Sequence, residues 1–239
     1  MKKRSLVLSL IILFIFPIYA WEVVPSTKST IPTTDISFEE YSLDFYSILD
    51  DKELKLEAFK TALKGYLQLT ETDKIENKQL LTVIDFSKSS SENRLFVIDT
   101  KEKKIAYKSL VAHGRNSGYE FATKFSNKMS SYQSSLGFYK TAETYSGKHG
   151  FSLRLDGLEY SNNNARSRAI VIHGADYVSK DFIKKNGKLG RSLGCPSLPK
   201  KNYKQIINTI KNGTCLFIYS KKGAYLSKSK LVNTKTNLN

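Results

Sequence analysis

The chemistry this sequence offers rests on one cysteine and one histidine. Cys195 lies in residues 188–199, KLGRSLGCPSLP, a stretch punctuated by glycine and proline, and His173 lies in Ile172-His173-Gly174 at the end of an apolar run. An ordinary thiol, with a pKa near ~8.5, is only a few per cent thiolate at neutral pH, so a working nucleophile needs a base or cationic surroundings. His173 is the expected base. Gly194 has no side chain, so the amides of Gly194 and Cys195 can approach a developing oxyanion closely. Nucleophile, base and oxyanion donors together are the equipment of acyl transfer.

The other cysteine, Cys215, sits in the apolar run GTCLFIY and reads as a buried strand residue that behaves as a small hydrophobe. A Cys195–Cys215 disulfide is the plainer alternative for an exported chain. His113, in VAHGRNSG, and His149, in YSGKHG, fall in polar glycine-rich connections, where a turn role and a site role are equally open. None of the histidines and cysteines has the close spacing of a metal site, so neither a metal nor any other cofactor is expected.

Composition bounds the setting. An apolar content of 40% excludes a disordered chain. Residues 1–20 begin with Lys2, Lys3 and Arg4, continue into an apolar stretch too short to span a bilayer, and break at Pro17 before Ala20, the pattern of a cleaved secretory signal. The expected location is therefore the periplasm or cell wall, without a stable transmembrane anchor. With 38 basic against 22 acidic residues, an anionic partner is expected, and outside the cytoplasm that is envelope polymer rather than nucleic acid.

The positioning elements follow from periodicity. Residues 21–36 read as a flexible linker, and residues 37–78 as a helical lead-in of two amphipathic helices split near Asp50-Asp51, with these acids capping the second. Residues 79–220 alternate short apolar runs with polar turns: strands at 80–86, 94–98, 105–112, 137–139, 152–155, 168–172 and 214–219. The turn at 87–93 makes the first two a hairpin. One helix is expected over 199–211, with Pro199 at its first position, Gly213 past its end and its positive end favouring the thiolate. Residues 221–239 read as a basic tail. The fold class is mainly β with a few helices (α+β).

The wording VAHGRNSG, SSLGFY, YSGKHGFSLRLDGLEY, RAIVIHGADYV and LGRSLGCPSLP resembles the murein L,D-transpeptidase catalytic domain of the YkuD-like fold, over roughly residues 80–219. The resemblance implies a β-sandwich and an exported enzyme of peptidoglycan. Such an enzyme attacks the bond between the L-centre of the third stem residue and a terminal D-Ala, then passes the acyl group to an amine, on a second stem peptide or an envelope protein. By motif position Cys195 is the nucleophile, His173 the base and Ser192 the serine that shapes the site, with His113, Arg115, His149, Gly174 and Arg191 as substrate-binding positions. Better-known members carry an Arg two residues after the cysteine, and here that place is Ser197. Arg191, Arg115 and Lys148 are the candidates to replace it. Two rivals remain open at this level: a hydrolase with water as acceptor (an L,D-carboxypeptidase or amidase), and a catalytically silent basic domain that binds the envelope.

Overall fold

The structure, a computed structural model, describes residues 37–235. The expected signal and linker, residues 1–36, lie outside the described residues. Helix α1 (Phe38–Leu49) starts at Ser37, whose side chain accepts from the Glu40 amide, and carries Glu39 and Glu40 in its first turn, where acids suit the positive end of the helix. Helix α2 (Leu56–Glu71) buries Phe59, Leu63, Tyr66 and Leu69 on one stripe. Each such side chain contributes about 1.5–3 kcal/mol when fully removed from water. Asp51 does not cap α2, which begins after Lys55 without a side-chain cap. Its carboxylate instead accepts from the amides of Glu53 and Leu54 and closes the turn between the helices.

The rest is built on a large eight-stranded sheet with a few helices, in keeping with the expected fold class. Its strands in chain order are β1 (Asn77–Asp85), β2 (Leu95–Asp99), β3 (Lys104–Ser109), β4 (Gly137–Gly147), β5 (Gly150–Gly157), β6 (Val171–Ala175), β7 (Ser197–Pro199) and β8 (Thr214–Tyr219), and they lie side by side as β3-β2-β1-β8-β4-β5-β6-β7. The pairs β1–β8 and β6–β7 are parallel and the others antiparallel. The expected hairpin is β1–β2. Strand β8 is buried along its whole length beside β1, so its unbroken apolar run is what the position demands. Helix α2 packs on β1 and β8, and a Cβ on its Gly65 would stand 2.1 Å from the Phe138 ring of β4, so the absent side chain is what lets helix and sheet meet. The helical lead-in is therefore part of the same core.

Three segments depart from the expectation. Pro199 closes β7 instead of opening a helix, and the helix begins only at Tyr203 (α4, Tyr203–Ile210). A short helix α3 (Lys180–Asn186), capped by Ser179, occupies a stretch with no clear apolar period. The basic stretch after β8 folds back as α5 (Gly223–Leu226) and α6 (Lys230–Asn233), with Tyr225 buried, so up to residue 235 it is part of the domain rather than a tail. Among the described residues no helix is long and apolar enough to cross a membrane.

Candidate active site

Strands β5, β6 and β7 place the histidine. On β6 His173 pairs with Ser152 of β5 on one side and Ser197 of β7 on the other, and it is 3% exposed. Its Nδ1 lies 3.0 Å from the Gly174 carbonyl, and Nε2 lies 3.0 Å from Ser197 Oγ. A carbonyl only accepts, so Nδ1 carries the proton of the neutral ring and Nε2 the lone pair. Burial holds the His173 pKa below its usual value, the Gly174 carbonyl opposes this, and the nearby His149 adds to it. The ring is neutral at pH 7 and equipped to take a proton at Nε2.

That lone pair is already engaged. Ser197 Oγ sits 3.0 Å from Nε2 and 3.0 Å from the Tyr177 hydroxyl, giving a chain in which Tyr177 donates to Ser197 and Ser197 to His173. Burial raises the Tyr177 pKa and keeps it a donor. Among the described residues no hydrogen bond joins Cys195 to His173. The half-buried thiol instead receives the Val171 amide at 3.5 Å and lies 3.7 Å from the Ala169 carbonyl. Ala169 has φ 53°, a left-handed conformation that costs a residue with a Cβ about 1–2 kcal/mol and here directs its carbonyl toward the sulfur.

The loop before Cys195 is folded by Ser192, whose Oγ accepts the Gly194 amide at 3.0 Å and donates to the Cys195 carbonyl at 2.6 Å. This overturns half of the expected oxyanion pair. The Gly194 amide is spent on Ser192, whereas the Cys195 amide has no partner among the described residues. Gly194 has φ +127°, which only glycine adopts readily, and its carbonyl is held by Ser134 Oγ at 3.0 Å. Both cysteines are free. Burial raises both thiol pKa values, and the fully buried Cys215 has no offsetting cation, while Cys195 is pulled back by the Val171 amide and by Arg168.

Arg168 escaped the sequence reading. Its guanidinium is clamped to the 126–135 segment through the Ser126 and Gln133 carbonyls, at 2.8 and 2.7 Å, and the Ser135 and Ser131 hydroxyls. All four partners are neutral oxygens, so the positive charge is not cancelled, and a Cβ on Gly194 would lie 3.5 Å from its Nη2. No short motif betrays such a residue, because the segment that holds it is remote in sequence.

The remaining candidates divide. His149 stacks on His173 with ring centroids 4.3 Å apart and is exposed, so it belongs to the site's outer wall. His113 is not substrate-facing: it is 1% exposed, and its Nδ1 accepts from Arg94 Nη2 at 2.9 Å. Arg94, itself fully buried, also donates to the carbonyls of Lys88 and Val111. Burial first, and Arg94 second, push the His113 pKa down to about 3, and burial pushes that of Arg94 down to about 9. This pair pins the loop whose next residue, Gly114, bridges to Ser192. Gly174 is likewise covered, by the ring of Tyr203. Arg115 is exposed and stacks on Tyr132, while Arg191 donates to the carbonyls of Arg115 and Gly118, each at 3.0 Å, and lies over Tyr119. Among the described residues no group of acidic, histidine and cysteine side chains could hold a metal ion.

Comparison with known proteins decides the family. The profile of the L,D-transpeptidase catalytic domain matches residues 50–219. The chain belongs to this family. The matched span includes α2, the whole sheet and every site residue above. Comparison with curated proteins found no match. Among solved structures, L,D-transpeptidase 3 from Mycobacterium tuberculosis is 13% identical, covering 59% of this chain and 61% of that one, with a TM-score of 0.39. The cell-shape protein Pgp2 from Campylobacter jejuni is 15% identical over 66% and 57%, with a TM-score of 0.40. An L,D-transpeptidase from Stackebrandtia nassauensis is 13% identical over 75% and 76%, with a TM-score of 0.37. The chain spans about six-tenths of the length of the mycobacterial structures it matches, such as that from Mycobacterium smegmatis.

Proposed function

We propose that this chain is an exported cysteine L,D-transpeptidase of peptidoglycan. The observation that carries the reading is the neutral His173, with Nδ1 pinned to Gly174 and Nε2 left as the acceptor that Ser197 Oγ holds, in the same site as a free Cys195 on the left-handed Gly194 turn. The Cys195 side chain turns from the Ala169 carbonyl toward His173, Ser197 yields, and Nε2 takes the thiol proton. The thiolate adds to the carbonyl of the third stem residue, and the oxyanion receives the Cys195 amide. The C–N bond to D-Ala breaks, the imidazolium returns its proton to the leaving amine, and a thioester remains. An amine from a second stem, or from an envelope protein, attacks the thioester, gives its proton to His173 and releases the thiolate. Arg168 stabilises each thiolate stage with an uncancelled charge.

The test is purified protein, from which residues 1–20 are omitted, given disaccharide tetrapeptides from diaminopimelate-type wall. Released D-Ala together with dimers joined between third residues is the expected result, and Cys195→Ala abolishes both. Tripeptide without dimer in excess acceptor makes the enzyme a carboxypeptidase. Unchanged muropeptides, with wall binding that survives Cys195→Ala, overturn the catalytic reading. Export is tested by cell fractionation with and without residues 1–20.

A further inference from the structure

One cavity among the described residues lies away from Cys195. It has a volume of about 750 Å³ and lies between the 123–136 segment, the turn at Tyr160 and the folded-back C-terminal stretch. Lys124 and Lys128 stand on one wall and Lys222 and Lys228 on the other, all exposed, with Phe125 and Tyr160 between them. No acidic side chain lines it, and none of the four lysines takes part in an ion pair among the described residues. The neighbouring carboxylate, Glu159, is turned inward and used up: it accepts from the Phe138 amide at 2.8 Å, from the Tyr225 hydroxyl at 2.7 Å and from Ser229 Oγ. That buried network fastens the C-terminal stretch to the domain, so the second pair of lysines stands on a built wall.

We propose that this cleft binds an acidic peptide segment, away from the bond that is cut. Four uncompensated charges in a concave site concentrate an anion. The choice of a peptide follows from the lining. Lysines are point charges without the planar fork that favours phosphate, and the half-exposed Tyr160 and the apolar Phe125 offer faces that a bare phosphate chain cannot use. The source of the peptide, a carboxylate-bearing stem of a neighbouring wall strand, rests on the proposed function; the binding does not. Ser126 and Gln133 line the cleft and also give Arg168 its two carbonyl partners, so a strand held here lies across the segment that positions the charge beside Cys195.

The experiment measures equilibrium binding by fluorescence anisotropy, using the protein with Cys195→Ala so that no turnover intervenes. The probe is a labelled tetrapeptide stem from diaminopimelate-type wall, compared with the same stem after amidation of its carboxylates and with inorganic polyphosphate as competitor. Substituting Lys124, Lys128, Lys222 and Lys228 with Gln is expected to weaken binding of the acidic stem by at least about tenfold, an effect that fades with added salt. The same loss of charge at Lys52, Lys101, Lys104 and Lys201, which are exposed and outside the cleft, is expected to change it by less than about twofold. Equal losses in the two variants, or none in the first, overturn the cleft. Tight binding of the amidated stem, or displacement of the acidic stem by sub-stoichiometric polyphosphate, overturns the ligand class. Because the reading is binding without Cys195, failure of the transferase assay leaves this result standing, and the reverse also holds.

Discussion

Ser197 Oγ occupies the lone pair of His173 at 3.0 Å, two residues along the chain from the cysteine that this base is expected to serve. The serine is fully buried, and its other neighbour is the Tyr177 hydroxyl. At the position of the Arg in better-known members, this chain has a serine that holds the His173 ring. Ser197→Ala leaves a buried imidazole nitrogen without a partner and the ring free to tilt. Acylation is expected to fall about tenfold or more, since an unsatisfied buried polar group costs about 1–3 kcal/mol. Ser197→Thr, which keeps the hydroxyl, restores most of it, and Tyr177→Phe gives an intermediate loss. Stopped-flow acylation with the fold checked by circular dichroism is the measurement, and wild-type rates in Ser197→Ala would remove the positioning role.

Arg168 is one of two groups that offset the burial of the Cys195 thiol, after the Val171 amide. Burial raises the Cys195 pKa and the guanidinium lowers it, so removing the charge moves the thiol further up. Arg168→Gln is expected to shift the pH profile of iodoacetamide labelling upward by about one pH unit. The plateau at high pH, where the thiol is ionised in both proteins, stays the same. Cys215, fully buried, remains unlabelled in the native protein throughout. An unchanged profile would show that the charge does not reach the sulfur.

How far the sequence carried this reading depended on how local each signal is. Cys195, His173 and the strands around them announce themselves through glycine, proline and apolar runs, each visible within a few residues. The Ser192 turn is equally local, being a hydroxyl that closes on residues two and three positions ahead. Pro199 misled because proline suits both the first turn of a helix and the end of an edge strand, and pairing with Ala175 of β6 decided for the strand. Arg168 and Arg94 were invisible because the carbonyls that make them what they are come from residues 126–133 and 88–111. The basic C-terminal stretch was misread because its anchor is Glu159, far upstream.

His113 ties stability to pH. Its folded pKa of about 3 lies below its usual 6.5, so the unfolded chain binds the proton more readily. The contribution is complete above pH 6.5 and is lost as the pH falls toward 3, at about 1.4 kcal/mol per unit. His113→Gln, whose amide oxygen can still accept from Arg94, is expected to flatten that part of the curve. Urea unfolding at intervals between pH 7 and 4 makes the comparison, and parallel curves for the two proteins would show that His113 does not govern acid sensitivity.

Gly114 and Gly194 meet backbone to backbone beside the Cys195 loop. A Cβ on Gly114 would stand 2.5 Å from the Tyr132 carbonyl oxygen, 2.9 Å from Gly194 Cα and 3.0 Å from the Ser134 amide nitrogen. All three are backbone atoms, so no side chain can swing aside, and relief requires the 113–118 loop to separate from the Cys195 loop. That separation breaks the bridge to Ser192 and moves the Gly194 turn from which the nucleophile projects. Gly114→Ala is therefore expected to cost about 1–3 kcal/mol of stability, the usual range for overpacking, and to reduce acylation far more than that loss of folded protein explains. Gly187→Ala is the control: Gly187 has φ +73° but nothing within 4 Å of an added Cβ, so it carries conformational strain of about 1–2 kcal/mol and no clash. Its stability should fall by a similar amount while acylation per folded molecule stays at the wild-type value. Thermal denaturation beside single-turnover acylation separates the two, and equal activity in the two variants would mean that the nucleophile does not depend on this joint.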